Sequence, residues 1–227
     1  MPNWCYNSLT VEGSAEDISA IKKQLNEPFQ REHDQWNPAT QQMEKKDYLY
    51  PNPVFAFWNI IKPTNLEAYN GPQPEATLPI RFDSDHWYDW NVRNWGTKWD
   101  VAVSYDEEYP ETELMEEDET SLAYRFNTAW SPPIPAIEKL SEQYPDVEFN
   151  LSYEEETGWG GEYIFANGQG TQIEDYENKC RDCDAINTME YCENDCGEIC
   201  SECNYLGEAD MDCVEECEIH RELANAN

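Results

Sequence analysis

"SLAYRFNTAWSPPIPAIEKLSEQYPDVEFNLSYEEE", residues 121–156, reads as one complete strand-helix-strand unit. Leu122, Tyr124 and Phe126 recur at every second position, the period of a strand with one buried face. Ser131 stands where a helix N-cap belongs, and the prolines after it fit an opening turn that needs no N–H donors. Ile134, Ile137 and Leu140 then share one helical face, and Val147, Phe149, Leu151 and Tyr153 alternate again as a second strand.

Working outward, the amino-terminal side offers a matching half. In "YNSLTVE", Leu9 and Val11 alternate with Ser8, Thr10 and Glu12; after Gly13, Ser14 and Asp17 form a capping signal for a helix with Ile18, Ile21 and Leu25 on one stripe, ending near Pro28. "KWDVAVSYDEE" predicts a further strand through Val101, Val103 and Tyr105, joined to the strand at 122–126 by an acidic hairpin loop over 106–119. "GGEYIFANG" predicts a last short strand. Residues 28–97 are broken by proline and read as a long insertion, apolar only at "VFAFWNII", 54–61, and helical where Trp87 and Trp90 stand three apart. The expectation is an α+β fold: a ferredoxin-like split βαβ antiparallel sheet over residues 1–168 with insertion 28–97, plus a small Cys-rich zinc-binding C-terminal module over 169–227. Fold alone assigns no activity.

Four segments, "MPNWCYNSLTVEG" at 1–13, "NWGTKWDV" at 94–101, "FNTAWSPPIPAIEKLSEQYPDVEF" at 126–149 and "GWGGEY" at 158–163, resemble the YubB-type ferredoxin-like proteins of phages and conjugative plasmids. The resemblance spans residues 1 to about 168 and implies a mobile-element accessory protein. It transfers no activity, and the cysteine-rich end lies outside it.

That end is informative by spacing. Cys180 and Cys183 form C-x2-C, followed by Cys192 and Cys196 as C-x3-C; Cys200 and Cys203, then Cys213 and Cys217, repeat the pattern. Each repeat offers four thiolates, enough for a closed tetrahedral zinc site, so the arithmetic predicts two structural zinc ions, one within each repeat. Disulfides, an iron-sulfur centre and reactive thiols are the competing readings, and a reducing cytoplasm disfavours the first. His220 is an alternative ligand to Cys217.

The formal net charge is −34, shared by both parts of the chain: residues 169–227 carry 17 acidic against 3 basic side chains. Such a field repels a nucleic-acid backbone and attracts basic proteins. No leader-like amino terminus or membrane-length apolar run is present, so the expected setting is the cytoplasm of a bacterial host. The expected function is a non-enzymatic, acidic accessory protein that binds a basic, nucleic-acid-binding host protein without contacting nucleic acid or membrane, and acts as a DNA-mimic inhibitor. Its candidate contact residues are Asp106, Glu107, Glu108, Glu111, Glu113, Glu116, Glu117, Asp118, Glu119, Glu154, Glu155 and Glu156. A second reading, a nucleic-acid-binding zinc protein, lacks basic residues between the knuckles. A third is a pocket for a nucleotide base along Trp95, Trp99, Trp130 and Trp159. Catalysis has little to work with: three histidines, His33, His86 and His220, no P-loop, and a carboxylate group at Asp83, Asp85, His86 and Asp89 that reads more simply as a helix start than as a metal site. Cys5 reads as a small buried hydrophobe.

Overall fold

Alternation along β1 (Trp4–Glu12) turns Cys5, Asn7, Leu9 and Val11 inward, and this strand becomes the centre of the main sheet. It pairs antiparallel with β5 (Ser121–Ala129) on one side, Leu9 facing Tyr124, and with β6 (Glu148–Glu155) on the other, Leu9 facing Leu151. The computed structural model describes residues 2–72, 74, 82–102, 111–180, 183–191, 197–203 and 206–209. Adding β4 (Glu113–Glu117), β7 (Gly160–Ala166) and β8 (Gln169–Tyr176) gives the order β4-β5-β1-β6-β7-β8. Its first four strands are the split βαβ arrangement, with a hairpin appended beside β6.

Both crossover helices follow the sequence pattern. In α1 (Ala15–Leu25) the Ser14 hydroxyl accepts the Asp17 N–H at 3.2 Å and Ile18, Ile21 and Leu25 are buried. The second helix, past the short helices introduced below, is α4 (Ile134–Gln143), with Ile137 and Leu140 buried and Ile134 packed against the core edge. Its N-cap is Pro133, not Ser131: successive prolines delay the helix, and the Ser131 hydroxyl donates instead to the Gly96 carbonyl at 2.6 Å.

Four expectations need correction. The strand that pairs with β5 is β4, inside the run expected to be a loop; Leu114 packs on the core while the glutamates face out, and the turn shrinks to Asp118–Thr120. Val101 and Ala102 are buried but lie in no strand, and Val103 and Tyr105 lie outside the described residues. The insertion contains a hairpin, β2 (Phe29–Asn37) with β3 (Gln42–Tyr50), that is buried only at its Phe29–Tyr50 end and so shows no two-faced periodicity. Finally, β8 continues past residue 168 through an Asn167-Gly168 turn with φ of 50° and 75°, the left-handed pair a two-residue hairpin loop requires.

The apolar run at 54–61 enters the core: Phe55 lies 5.1 Å from both Tyr124 and Phe126, and Phe57 lies 5.9 Å from Trp95. After α2 (Leu66–Tyr69), α3 (Trp87–Trp95) forms where the tryptophan spacing places it. It stops at Gly96, φ 83°, whose missing side chain admits Pro135 and the Pro132 carbonyl. Beside it, Asp100 accepts N–H bonds from Phe57, Trp58, Val101 and Ala102 at 2.8–3.3 Å and pairs with Arg31 at 3.5 Å. Burial pushes the Asp100 carboxyl up; the Arg31 guanidinium and these N–H groups oppose that rise. Arg31 also stacks 4.5 Å above Trp58 and donates to the Tyr69 hydroxyl, tying the hairpin to the core.

The chain divides into two compact units, residues 1–156 with 162–173, and 157–161 with 174–227. The second contains a three-stranded sheet, β11-β10-β9, from β9 (Met189–Tyr191), β10 (Gly197–Cys200) and β11 (Leu206–Ala209). Among the described residues no helix is long and apolar enough to cross a membrane.

Candidate metal centre and acidic surface

The candidate metal centre is a cysteine cluster assembled by two short turns. Around Cys180 and Cys183, the Cys180 N–H donates to the Ala185 carbonyl at 2.9 Å, the Asp184 N–H donates back to Cys180 at 3.0 Å, and Asp184 adopts φ 58°. Asn178 fastens the next turn: its side chain accepts the Met189 N–H at 3.0 Å and its carbonyl accepts the Asn187 N–H at 2.8 Å. The β9–β10 pairing sets Cys200 opposite Met189, and the Ser201 N–H reaches the Thr188 carbonyl at 2.9 Å. That return path brings the second C-x2-C knuckle beside the first.

As a result, the Sγ atoms of Cys180, Cys183, Cys200 and Cys203 all lie within 4.8 Å of one another, with Cys180–Cys203 at 3.6 Å and Cys183–Cys200 at 3.7 Å. Zinc–thiolate bonds of about 2.3 Å arranged tetrahedrally require sulfurs about 3.8 Å apart, so the four atoms are spaced for one ion. Cys180 and Cys200 are fully buried. Burial pushes the Cys200 thiol up, but hydrogen bonds from the Thr188 hydroxyl, at 3.3 Å, and from the Cys203 and Glu202 N–H groups bring it down to about 6. The Cys183 thiol is lowered by the Ala185 N–H and by Cys203, but burial and then its sulfur neighbours Cys180 and Cys200 leave it raised.

The cluster joins the knuckles of two repeats, where pairing within each repeat was expected. Short loops favoured the latter on entropy, but doubling a loop costs only about 0.6 kcal/mol. A β-hairpin that carries Cys200 back to Thr188 outweighs so small a difference. Cys192, Cys196, Cys213, Cys217 and His220 lie outside the described residues.

The acidic candidates separate by position. Glu111, Glu113, Glu116, Glu117, Asp118, Glu119 and Glu156 are exposed, Glu154 is half-buried, and Asp106, Glu107 and Glu108 lie outside the described residues. Glu155 is only 3% exposed and does not belong to an outward face. It is in phase with Phe149, Leu151 and Tyr153, so the alternation already placed it inside. On β4, Glu113 faces Arg125 across the ladder and Glu117 pairs with Lys22 at 2.5 Å; Glu116 makes no ion pair among the described residues.

The four tryptophans stand in different surroundings. Trp95 is buried, donating to the Ile61 carbonyl, and Trp159 belongs to the other unit. Trp99 and Trp130 do converge, 4.5 and 4.9 Å from the Lys98 ammonium, with Tyr88 at 5.7 Å. The Asp83–Asp89 segment holds a helix start: Ser84 donates to Asp89 at 2.6 Å and Asp85 pairs with Arg93 at 3.0 Å. Burial pushes the Cys5 thiol up to about 12, as suits a small buried side chain. Burial and the Arg31 charge lower His33 to about 4, leaving a neutral ring bonded to the Tyr50 hydroxyl at 2.9 Å.

Among known proteins, the crystal structure of protein api92 from Yersinia pseudotuberculosis is similar at 10% identity and a TM-score of 0.44, over 79% of this chain and 99% of that one. No curated protein matches the chain. The family model described as "Ferredoxin-like domain in Api92-like protein" matches residues 108–194, a stretch that runs from β4 through β5, α4, β6, β7 and β8 and past the first cysteine knuckle to include β9. Over those residues the chain is similar to the ferredoxin-like domain of Api92-like proteins.

Proposed function

We propose that this chain is a non-enzymatic binding protein of a phage or plasmid, acting in the bacterial cytoplasm, whose acidic ferredoxin-like unit docks on a basic surface of a host nucleic-acid-binding protein. The observation that carries this reading is the edge of the main sheet. Glu116, Glu117, Asp118 and Glu119 are four consecutive exposed carboxylates at the end of an edge strand. Glu116 and Glu117 close β4 and Asp118 and Glu119 lie in the turn after it, so the run concentrates negative charge at one end of the sheet edge, the sign of the phosphate backbone that a basic DNA groove is built to receive. Opposite potentials also speed encounter.

Zinc is the ion we assign to the cysteine centre, because four thiolates with tetrahedral spacing and no open position suit a structural zinc site. The duplicated spacing leaves Cys192, Cys196, Cys213 and Cys217 as the ligands of a second ion. Metal then supplies cohesion to a segment poor in large apolar residues, and its charge offsets thiolates set among carboxylates. Competition tests the docking: the chain is titrated into a complex of labelled duplex DNA with a basic DNA-binding host protein. The expected result is DNA release at low salt, weakened by added salt and by joint Glu116→Gln, Glu117→Gln and Glu119→Gln changes. Release indifferent to salt and to those changes refutes the reading.

A further inference from the structure

The ferredoxin-like unit holds a cleft of about 1250 Å³ bordered by β1, the β2–β3 hairpin and the α3 region. Its volume exceeds the roughly 300–1,000 Å³ usual for small-molecule sites, which suits a length of chain better than a metabolite. Its charges are also uneven. Arg31 is committed to Asp100 at 3.5 Å, and Lys45 is shared between Glu32 at 3.3 Å and Asp34 at 3.4 Å. Glu111 and Glu156, both exposed on the lining, make no ion pair among the described residues. A phosphate entering the cleft meets these carboxylates and no lining cation free of an ion pair, and Lys98 beside it is seated on Tyr88, Trp99 and Trp130; a cationic side chain meets carboxylates that make no ion pair among the described residues.

Aromatic walls point the same way. Trp4 and Trp99 line the cleft with ring centres 6.2 Å apart, and Trp99 is 39% exposed. Indole faces attract ammonium and guanidinium groups, and this unit already uses them so: Lys98 lies 4.5 Å from Trp99 and Arg31 4.5 Å from Trp58. We infer that the cleft receives a basic segment of the partner protein, its Arg or Lys side chains stacking on Trp4 and Trp99 and ending at Glu111 and Glu156. This rests on the proposed docking to basic proteins and names a place for it distinct from the β4 edge. Glu111 bonds Asn127 at 3.4 Å while Glu116 stands opposite Ala123, four residues or about 13 Å along β5, beyond the screening length of about 8 Å.

The test is titration of the full zinc-supplied chain with acetylated, amidated penta-arginine, followed by tryptophan fluorescence and calorimetry, with penta-glutamate and AMP as comparison probes. Penta-arginine is expected to bind at low salt and the other two not. Joint Glu111→Gln and Glu156→Gln changes are expected to weaken it about tenfold, and Trp99→Ala about fivefold. The β4 control, Glu116→Gln with Glu117→Gln, is expected to change it by less than about twofold. Circular dichroism confirms that each variant folds. Loss in the β4 control with the cleft variants unchanged overturns the cleft inference and leaves docking through the edge intact. No binding of penta-arginine by the unaltered chain overturns both readings, and AMP binding that the cleft variants abolish makes the cleft a nucleotide site instead.

Discussion

Replacing Cys183 and Cys200 by Ser, singly and then together, separates the two ways in which the repeated cysteines can share metal. In the structure their sulfurs are 3.7 Å apart and belong to one cluster with Cys180 and Cys203, all four within 4.8 Å of one another. Each substitution therefore removes a ligand from the same ion. Loss of partners that merely orient a ligand costs about 10–100-fold in affinity, so loss of a thiolate is expected to cost at least about 100-fold and empty the site at micromolar zinc. Native mass spectrometry of the full chain counts the ions retained. Both single variants are expected to carry one ion fewer than the unaltered chain, and the double variant no fewer than either single. Pairing within repeats assigns Cys183 and Cys200 to different ions; a double variant short of two ions refutes the ligand set described here.

Other consequences are independent of metal. Gly96→Ala forces a side chain into φ 83° and within 2.6 Å of Pro135, and is expected to lower unfolding free energy by about 2 kcal/mol or more in urea denaturation. Arg31→Met leaves Asp100 as a buried carboxylate without its cation and is expected to cost ~3–5 kcal/mol, part of which returns when Asp100→Asn is added. His33 is neutral in the fold because its value falls from 6.5 to about 4, so the unfolded chain takes up the proton first as pH drops. Its contribution is complete above pH 6.5 and is lost as pH falls toward 4; since the ring is partly exposed the loss is ~1–2 kcal/mol. A difference in stability between the unaltered chain and His33→Gln that stays constant across this window contradicts the assignment.

How much of this was legible in the chain follows from where burial is one-sided. β1, α1, β5, α4 and β6 each bury one face, and Leu9, Ile21, Phe126, Leu140 and Phe149 are all fully buried where their periodicity placed them. β3 and β8 expose nearly everything between their ends, and β2 is half-buried continuously from Arg31 to His33, so no alternation marks them. β4 was hidden by its charge: five residues with three glutamates resemble a loop until Leu114 is seen to pack inward. At the metal centre the spacing revealed the knuckles and the duplication, but not which knuckles meet. That choice depends on Cys200 returning beside Thr188 across β9 and β10, a long-range pairing carried by short polar strands. Glu155 shows the opposite case, since its parity was readable and its charge disguised it.

X-ray absorption at the zinc edge of the full chain, purified with zinc and without chelator, tests the central claim most directly. The expected spectrum shows four sulfur neighbours at about 2.3 Å and no nitrogen or oxygen in the first sphere. A chain that retains no zinc under those conditions, or a first sphere with two or more nitrogen or oxygen ligands, contradicts a centre built from Cys180, Cys183, Cys200 and Cys203.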